Sequence, residues 1–223
     1  MKADLHLHTN FSFDGFSSPE EIVEAAIAKK IDCICICDHE EVEGAAKAIE
    51  YAQSKPVLVI PGIEIKSKSG DILGLNVEKI IPNQLSAKET ILEILKEGGL
   101  PVIAHPFDWA FHFKEIERYK DFFKEKQVGI EVLNACLFLN SSNDRALKFA
   151  KESNLFFTAG SDAHSSFFVG KAYLEIPGEN LTKKEVLEAI KAKNVKVRFE
   201  QVGFFEKALD HIKRNIAKVI NKL

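Results

Sequence analysis

The sequence IDCICIC occupies residues 31–37 and is apolar at all but one position. A second run of the same kind, VLVIPGI, occupies residues 57–63. Strands that are apolar at successive positions are buried on both faces, as in parallel sheets that are covered by helices. The two runs therefore predict buried strands of an α/β fold.

Similar runs recur along the chain and alternate with segments of helical periodicity. The predicted strands are Ala3–Leu7, Asp32–Cys37, Val57–Ile63, Pro101–Ala104, Gly129–Leu133, Phe156–Ala159 and Val195–Phe199, with Ile72–Val77 and Ala172–Ile176 as further candidates. The predicted helices are Pro19–Lys30, Glu41–Gln53, Ala87–Glu97, Lys114–Lys126, Asp144–Glu152, Lys183–Ala192 and a final one over Phe204–Leu223. Repeated βα units imply a parallel sheet with helices outside it. About seven units in 223 residues predict one compact TIM-like barrel in a single domain, 1–223, with a doubly wound open sheet as the alternative.

Three of the predicted helices begin at capping boxes. In this motif a serine or threonine and a glutamate three residues later satisfy backbone N–H groups of the first helical turn. The boxes are Ser18–Glu21, Ser86–Glu89 and Thr182–Glu185. Pro19 takes the first helical position of the first box, where its missing N–H costs nothing.

Composition and charge limit the classes of function. Hydrophobic residues make up 46% and charged residues 28% of the chain, as in a soluble globular protein. The sequence contains no apolar run long enough to span a membrane and no signal peptide at its start, so we expect a cytoplasmic protein without a membrane partner. A formal net charge of −3 argues against a partner such as long nucleic acid, which usually requires a basic excess. It is compatible with a short nucleotide.

Three of the four cysteines alternate along one apolar segment. Cys33, Cys35 and Cys37 share a strand face, which leaves a thiolate metal cluster open as one interpretation. The simpler interpretation is a buried strand in a reducing compartment, where cysteine behaves as a small hydrophobic residue. Cys136 stands alone.

Histidines and carboxylates concentrate at the ends of the predicted strands. In a βα barrel the carboxyl ends of the strands converge on one face, and that face holds the active site. Five of the seven histidines fall there, beside carboxylates, whereas His112 and His211 fall in helical segments. The candidate metal ligands are His6, His8, Asp14, His39, Glu64, His105, Glu131, Asp162 and His164.

The spacing of these residues suits metal binding. His6 and His8 are two residues apart on a strand, so their imidazoles point to the same side and can grip one ion. Asp162 and His164 repeat that spacing on a late strand. Asp4, on the face of His6, could orient a ligand histidine, and a glutamate such as Glu64 has two oxygens and could bridge two metals.

The motifs formed by these residues resemble those of the PHP (polymerase and histidinol phosphatase) superfamily. They span residues 3–176 in the family's order: Asp4–Thr9 with Phe11–Gly15, Cys37–His39, Pro61–Glu64, Ile103–Pro106 and Gly160–His164. The resemblance implies a distorted seven-stranded (β/α)7 barrel and two or three bound divalent metals, commonly Zn, Mn or Fe. It also implies hydrolysis of phosphoesters.

The resemblance also implies a role for each candidate ligand. His6 and His8, completed by Asp162, would bind the first metal, and Asp14 with His39 would hold the second. Glu64 would bridge them, while His105 and His164 would serve a third metal or the remaining positions. Glu131 stands where many members carry a histidine ligand, and Asp14 places the chain nearer the nucleotide-phosphatase branch.

The expected activity is hydrolysis of a small phosphomonoester or short nucleotide by a metal-bridged hydroxide, since a metal lowers the pKa of bound water toward 7. Glu64, His105 and His164 are the candidate catalytic residues, and Arg145, Lys66 and Asn134 are candidate substrate contacts. Histidinol phosphate is an alternative substrate, and a non-catalytic subunit of a nucleic-acid-processing complex is an alternative function. Trp109 could stack on a base, or pack in the core or in a lid.

Overall fold

The computed structural model describes residues 1–110, 112–137 and 140–200, together with residues 203, 206, 208, 212 and 215. The strands are β1 (Lys2–Leu7), β2 (Cys33–Ile36), β3 (Leu58–Lys66), β4 (Asp71–Leu75), β5 (Leu100–Ile103), β6 (Gly129–Asn134), β7 (Phe157–Gly160), β8 (Ala172–Glu175) and β9 (Lys196–Phe199). The α-helices are α1 (Pro19–Ala28), α2 (Glu43–Ala52), α3 (Ala87–Lys96), α4 (Lys120–Lys126), α5 (Asn140–Glu152) and α6 (Lys183–Lys191). The helix predicted over Phe204–Leu223 and the side chain of His211 lie largely outside the described residues.

The strands form one mixed sheet that curls into a nearly closed barrel. Its order is β7-β6-β5-β4-β3-β2-β1-β8-β9. The ends of β1 and β7 meet through two backbone hydrogen bonds, from His8 N to Ala163 O at 2.9 Å and from Asp162 N to His6 O at 2.8 Å. The predicted α/β barrel of the TIM-like type is therefore confirmed. The open-sheet alternative is excluded because these two bonds join β7 to β1.

The barrel departs from a purely parallel one at two strands. β4 runs antiparallel to both β3 and β5, and β8 runs antiparallel to both β1 and β9. A tight turn around Ser67–Gly70, closed by a hydrogen bond from Ser67 N to Gly70 O, folds β3 directly back into β4. The start of β4 consequently lies at the same rim of the barrel as the end of β3.

The three predicted capping boxes are all present, and the helices they begin, α1, α3 and α6, start at Pro19, Ala87 and Lys183. The helix predicted over Lys114–Lys126 is divided into a 3-10 turn, Ile116–Tyr119, and α4. Glu115, which precedes this turn, has a φ of 53°, which no helix continues through. No helix in the described part of the chain combines the length and the apolar character needed to cross a membrane.

The three alternating cysteines belong to the core. Cys33, Cys35 and Cys37 are fully buried among apolar side chains such as Leu5 and Ile60. Burial raises the pKa of the Cys33 and Cys37 thiols well above the ordinary value. Because thiols with raised pKa values remain protonated, this environment favours the interpretation as small hydrophobic residues over a thiolate cluster.

Candidate metal centre

The structure brings all nine predicted ligands to one rim of the barrel, where the parallel strands end. His39 is partly exposed, and the others are buried. They come from separate elements: β1 and the loop after it, the segments after β2 and β5, strands β3 and β6, and the segment after β7. The nine are His6, His8, Asp14, His39, Glu64, His105, Glu131, Asp162 and His164.

Glu64 lies at the centre of the cluster. Its Oε2 is 3.2 Å from both His6 Nε2 and His8 Nε2, and 3.4 Å from His39 Nδ1. Its Oε1 is 3.2 Å from His105 Nε2. One buried carboxylate therefore faces four imidazoles. Two of these, His6 and His8, are two residues apart in and just after β1 and point to the same side. This is the position from which a carboxylate can contact two ions at once.

In three histidines the Nδ1 atom, which is the ring nitrogen turned away from a potential ion, lies within hydrogen-bond distance of another protein group. His6 Nδ1 is 2.9 Å from Glu131 Oε1, and His8 Nδ1 is 3.2 Å from Ser12 Oγ. His164 Nδ1 is 2.9 Å from the backbone oxygen of Asp162. A carboxylate or carbonyl oxygen can only accept, so the Nδ1 atoms of His6 and His164 carry the proton. In that tautomer their Nε2 atoms could offer a lone pair to an ion, as histidines do in known metal sites.

A second group of side chains closes the other side of the centre. His164 Nε2 is 3.2 Å and His39 Nε2 is 3.7 Å from Asp14 Oδ1. Asp162 Oδ1 is 3.4 Å from His8 Nε2 and 3.6 Å from His164 Nδ1. Asp162 and His8 therefore connect this group to the one around Glu64.

Glu131 and Asn134 face this centre from β6, and both side chains form hydrogen bonds with other described residues. Glu131 Oε2 accepts from the backbone N–H of His105 at 2.8 Å and from Asn134 Nδ2 at 3.1 Å, in addition to the contact between its Oε1 and His6. Asn134 Nδ2 also donates to Asp162 Oδ2 at 3.2 Å. The two residues thus orient candidate ligands. His105, whose backbone N–H donates to Glu131, has an unusual φ of 25°.

Three groups of ligand atoms could each hold an ion. Within a group the ligand atoms lie within 4.8 Å of one another, and the groups are His8 with His39 and His164, His6 with His8 and Glu64, and Glu64 with Asp71 and His105. Asp71 was not among the sequence candidates. Its only signal was a carboxylate at the start of a possible strand. A strand start reaches the catalytic rim only if the strand is antiparallel, and the sequence did not indicate that direction.

Asp4, expected to orient a histidine, instead fastens the barrel closure. It accepts from Ser161 N at 2.8 Å, from Ser161 Oγ at 2.6 Å and from Gly170 N at 2.8 Å. Burial raises its pKa to about 6, although these hydrogen bonds oppose the shift.

The carboxylates dominate the electrostatics of the cluster. Burial alone would lower the histidine pKa values. Hydrogen bonds to Asp162 and Glu64 nevertheless raise the pKa of His8 to about 9, and the hydrogen bond to Glu64 raises that of His105 to about 10. Burial of Glu64 is likewise outweighed by the charges of His39 and His6, which hold its pKa well below the ordinary value. The site therefore requires positive charge, which either protons or metal ions can supply.

The residues present fit a divalent metal centre. The imidazole nitrogens of His6 and His8 lie 3.1 Å apart, an arrangement that a shared cation between them would stabilise. His105 Nδ1 is buried and has no hydrogen-bond partner among the described residues. Imidazole and carboxylate donors without thiolates suit Zn, Mn and Fe.

The two cationic substrate contacts expected from the sequence lie around this rim. Lys66 ends β3, is exposed, and lies opposite Asp71 in the backbone register of β3 and β4. Arg145, on α5, places its guanidinium 4.5 Å from the ring centre of Phe107, which lies two residues after His105. Trp109 is 71% exposed, so it does not pack in the core.

Comparison with protein families yields two matches. The model of the PHP domain family matches residues 4–104, and that of the PHP-associated family matches residues 140–195. An uncharacterized protein of Methanocaldococcus jannaschii is 31% identical over 204 residues, which cover 86% of this chain and 80% of that protein. A protein of Vibrio campbellii named "probable phosphatase" is 29% identical over 205 residues, which cover 78% of this chain and 82% of that protein.

Solved structures share the fold. A two-domain protein from Bacteroides vulgatus, which contains a predicted PHP-like metal-dependent phosphoesterase, superimposes with a TM-score of 0.76 at 20% identity. The match covers 96% of this chain and 69% of that one. A lesion-specific endonuclease from Pyrococcus furiosus superimposes with a TM-score of 0.62 at 16% identity, over 88% of this chain and 57% of that one.

Proposed function

The chain belongs to the PHP domain family, and from this premise we propose that it is a metal-dependent phosphoesterase that hydrolyses a small phosphomonoester or short nucleotide. The observation that carries the proposal is the position of Glu64. Its two oxygens face four imidazoles at 3.2–3.4 Å, with further carboxylates around them. Buried carboxylates need compensating positive charge, and metal ions bound by the imidazoles would supply it.

We assign two or three divalent ions, Zn, Mn or Fe, to this cluster. The proposed ligands are His6, His8, Asp14, His39, Glu64, His105, Asp162 and His164, joined by Asp71. When bound, such ions lower the pKa of water and neutralise the charge of a phosphate group. Glu131, predicted as a ligand, acts in this proposal through His6 and His105, whose N–H groups donate to it.

The protein's own groups orient the ester and supply a proton. Lys66 offers a cation to the phosphate oxygens at the rim, and Arg145 offers a second contact with the substrate. The leaving alkoxide needs a proton, which His105 or His164 would donate if that imidazole is not itself bound to a metal. Asn134 holds Glu131 and Asp162 in place, so we assign it a positioning role rather than a contact with substrate.

A non-catalytic subunit is the second class of function. Barrels that serve as such subunits usually lose ligands, whereas the predicted ligands of this chain all cluster at one rim. The composition of the cluster therefore favours an enzyme. The relatives named as phosphatases agree with this choice.

The experiment combines metal analysis with a substrate panel. Protein purified without chelator should contain at least two divalent ions per chain by elemental analysis. It should hydrolyse at least one ester from a panel of nucleotides, histidinol phosphate and p-nitrophenyl phosphate, in competition with labelled duplex and single-stranded oligonucleotides. Fewer than one ion per chain, with no gain after addition of Mn or Zn, would contradict the metal centre. Cleavage of long duplex DNA without turnover of any small ester would contradict the substrate class.

A further inference from the structure

A cavity of about 710 Å³ opens beside the metal cluster, at the carboxyl ends of β5 and β6. One wall begins at Pro106, directly after His105, and continues through Trp109 to Arg118. The other wall is the first part of α5, including Ser142 and Arg145. The volume lies in the range of small-molecule sites. The lining residue Pro106 directly follows His105 in the chain, which places the cavity next to the Glu64 cluster.

Both walls are fixed to the metal cluster by hydrogen bonds. Asp108 N donates to His105 O at 3.0 Å, which turns the chain sharply after the ligand. On the opposite side, Asn143 accepts from Asn134 N at 3.0 Å and donates to Asn134 O at 3.1 Å. A ligand in the cavity would therefore keep a defined position relative to the metals.

The charges in the cavity do not suit a phosphate group. Asp108, Glu115 and Glu117 line it together with Arg118 and Arg145. Glu115 already pairs with Arg118 at 2.8 Å. Three carboxylates against two guanidinium groups would repel an anion. The phosphate belongs at the metals, and the cavity suits an uncharged part of the same substrate.

Planar groups dominate the remaining surface. Trp109 is 71% exposed, and the guanidinium of Arg145 lies 4.5 Å over the ring of Phe107. Exposing an indole to water costs free energy that a stacked ligand would recover. Indole rings and guanidinium planes both stack on flat aromatic groups.

We infer that this cavity is a subsite for a planar aromatic group on the alcohol side of the phosphoester, with Trp109 as its stacking surface. The inference rests on the proposed phosphoesterase function for its substrate, but binding of the aromatic group is detected by fluorescence and needs no measurement of activity. A nucleobase, an imidazole and a phenyl ring share the required chemistry. The test includes all three.

The chain contains one tryptophan, so its fluorescence reports on Trp109 alone. Zinc-loaded protein would be titrated with adenosine 5′-monophosphate, histidinol phosphate, phenyl phosphate and ribose 5-phosphate, the last of which has the sugar and phosphate of the nucleotide but no base. We expect at least one aromatic ester to quench the fluorescence and ribose 5-phosphate to leave it unchanged. Quenching by ribose 5-phosphate equal to that by every aromatic ester, or none by any ester, would overturn the inference.

Kinetics on the same panel provide a second measurement. Trp109→Ala should raise KM for the preferred aromatic ester at least about tenfold more than KM for ribose 5-phosphate, with a smaller change in kcat. Trp109→Phe, which keeps a stacking ring, should recover most of the loss. Leu92→Ala, which removes another exposed apolar side chain on the outer helix α3, is the control. If no ester is hydrolysed, the phosphoesterase proposal fails, while the fluorescence still decides whether the subsite exists.

Discussion

His6 and Glu131 form a buried pair in which Nδ1 donates to Oε1 over 2.9 Å, while Nε2 of the same imidazole faces Glu64 Oε2 at 3.2 Å. The carboxylate therefore fixes both the tautomer and the orientation of the imidazole. Glu131 also accepts from the backbone N–H of His105 at 2.8 Å. One side chain on β6 thus positions candidate ligands from β1 and from the segment after β5.

We predict that Glu131→Gln weakens metal binding about 10- to 100-fold without unfolding the protein. An amide has one oxygen and one nitrogen, so it cannot accept from both His6 and the His105 backbone. The measurement is a zinc titration against a competing chelator, with circular dichroism to monitor the fold. Glu179→Gln, at an exposed site, is the matched control. Loss of one whole equivalent of metal would instead identify Glu131 as a ligand, and unchanged affinity would contradict its positioning role.

We predict that Glu64→Gln lowers phosphoesterase activity by at least ~100-fold, because it removes the charge and one good ligand oxygen at the centre of the cluster. The shape of the side chain is conserved, so the fold should persist. Activity is measured on the best ester of the panel, and metal content by elemental analysis. An active variant with wild-type metal content would refute the bridging role of Glu64.

The sequence was sufficient to predict that most residues of the candidate site lie together, because βα topology brings strand ends to one rim. His6, Glu64 and Asp162 could be placed together without knowing any distance. Asp71 was not predicted as a candidate ligand because its strand, β4, runs antiparallel to its neighbours. The sequence also did not predict which residues would be ligands and which would orient them. Whether Glu131 faces a metal or an imidazole depends on side-chain directions that no motif encodes.

The fold was predictable for similar reasons, within limits. Buried strands such as β2 and the capping boxes are local signals, and they indicated element types and helix starts correctly. The direction of β4 depends on the tight turn at Ser67–Gly70, whose effect is visible only once strands pair. The start of the helical segment after Glu115, rather than at Lys114, follows from the positive φ of Glu115, which periodicity does not reveal.

We predict that the metal-free protein loses stability as the pH rises from about 7 to about 10. The folded pKa values of His8 and His105 are about 9 and about 10, above the ordinary 6.5, so protons stabilise the folded state. That contribution is fully present below the ordinary value and disappears as the pH passes the folded values. Thermal unfolding in chelator across this range is the measurement, and zinc-loaded protein should lose less because metal replaces the protons. A melting temperature of the metal-free protein that stays constant or increases would contradict the prediction.

The closure between β7 and β1 leaves no space for a side chain at Gly160. A Cβ there would lie 2.4 Å from His6 Cβ and 2.7 Å from His6 N, and the backbone cannot turn away. Gly160→Ala should therefore push β7 from β1, weaken the bond from Asp162 N to His6 O, and displace two candidate ligands. We expect a loss of about 1–3 kcal/mol in the free energy of unfolding, typical of overpacking, together with weaker zinc binding. Urea denaturation and zinc titration measure the two effects.

The matched control for this prediction is Gly98→Ala, just after the end of α3. Gly98 has a φ of 76°, and no atom lies within 4 Å of the place that a Cβ would take, so alanine there strains the backbone without touching the site. The strain should cost about 1 kcal/mol. Gly98→Ala should thus lose stability while it binds zinc like the wild type, since its effect stays on the outer helix. If both variants bound zinc equally well, the contact of Gly160 with His6 would not control the geometry of the metal centre, and the closure of the barrel would be separable from its chemistry.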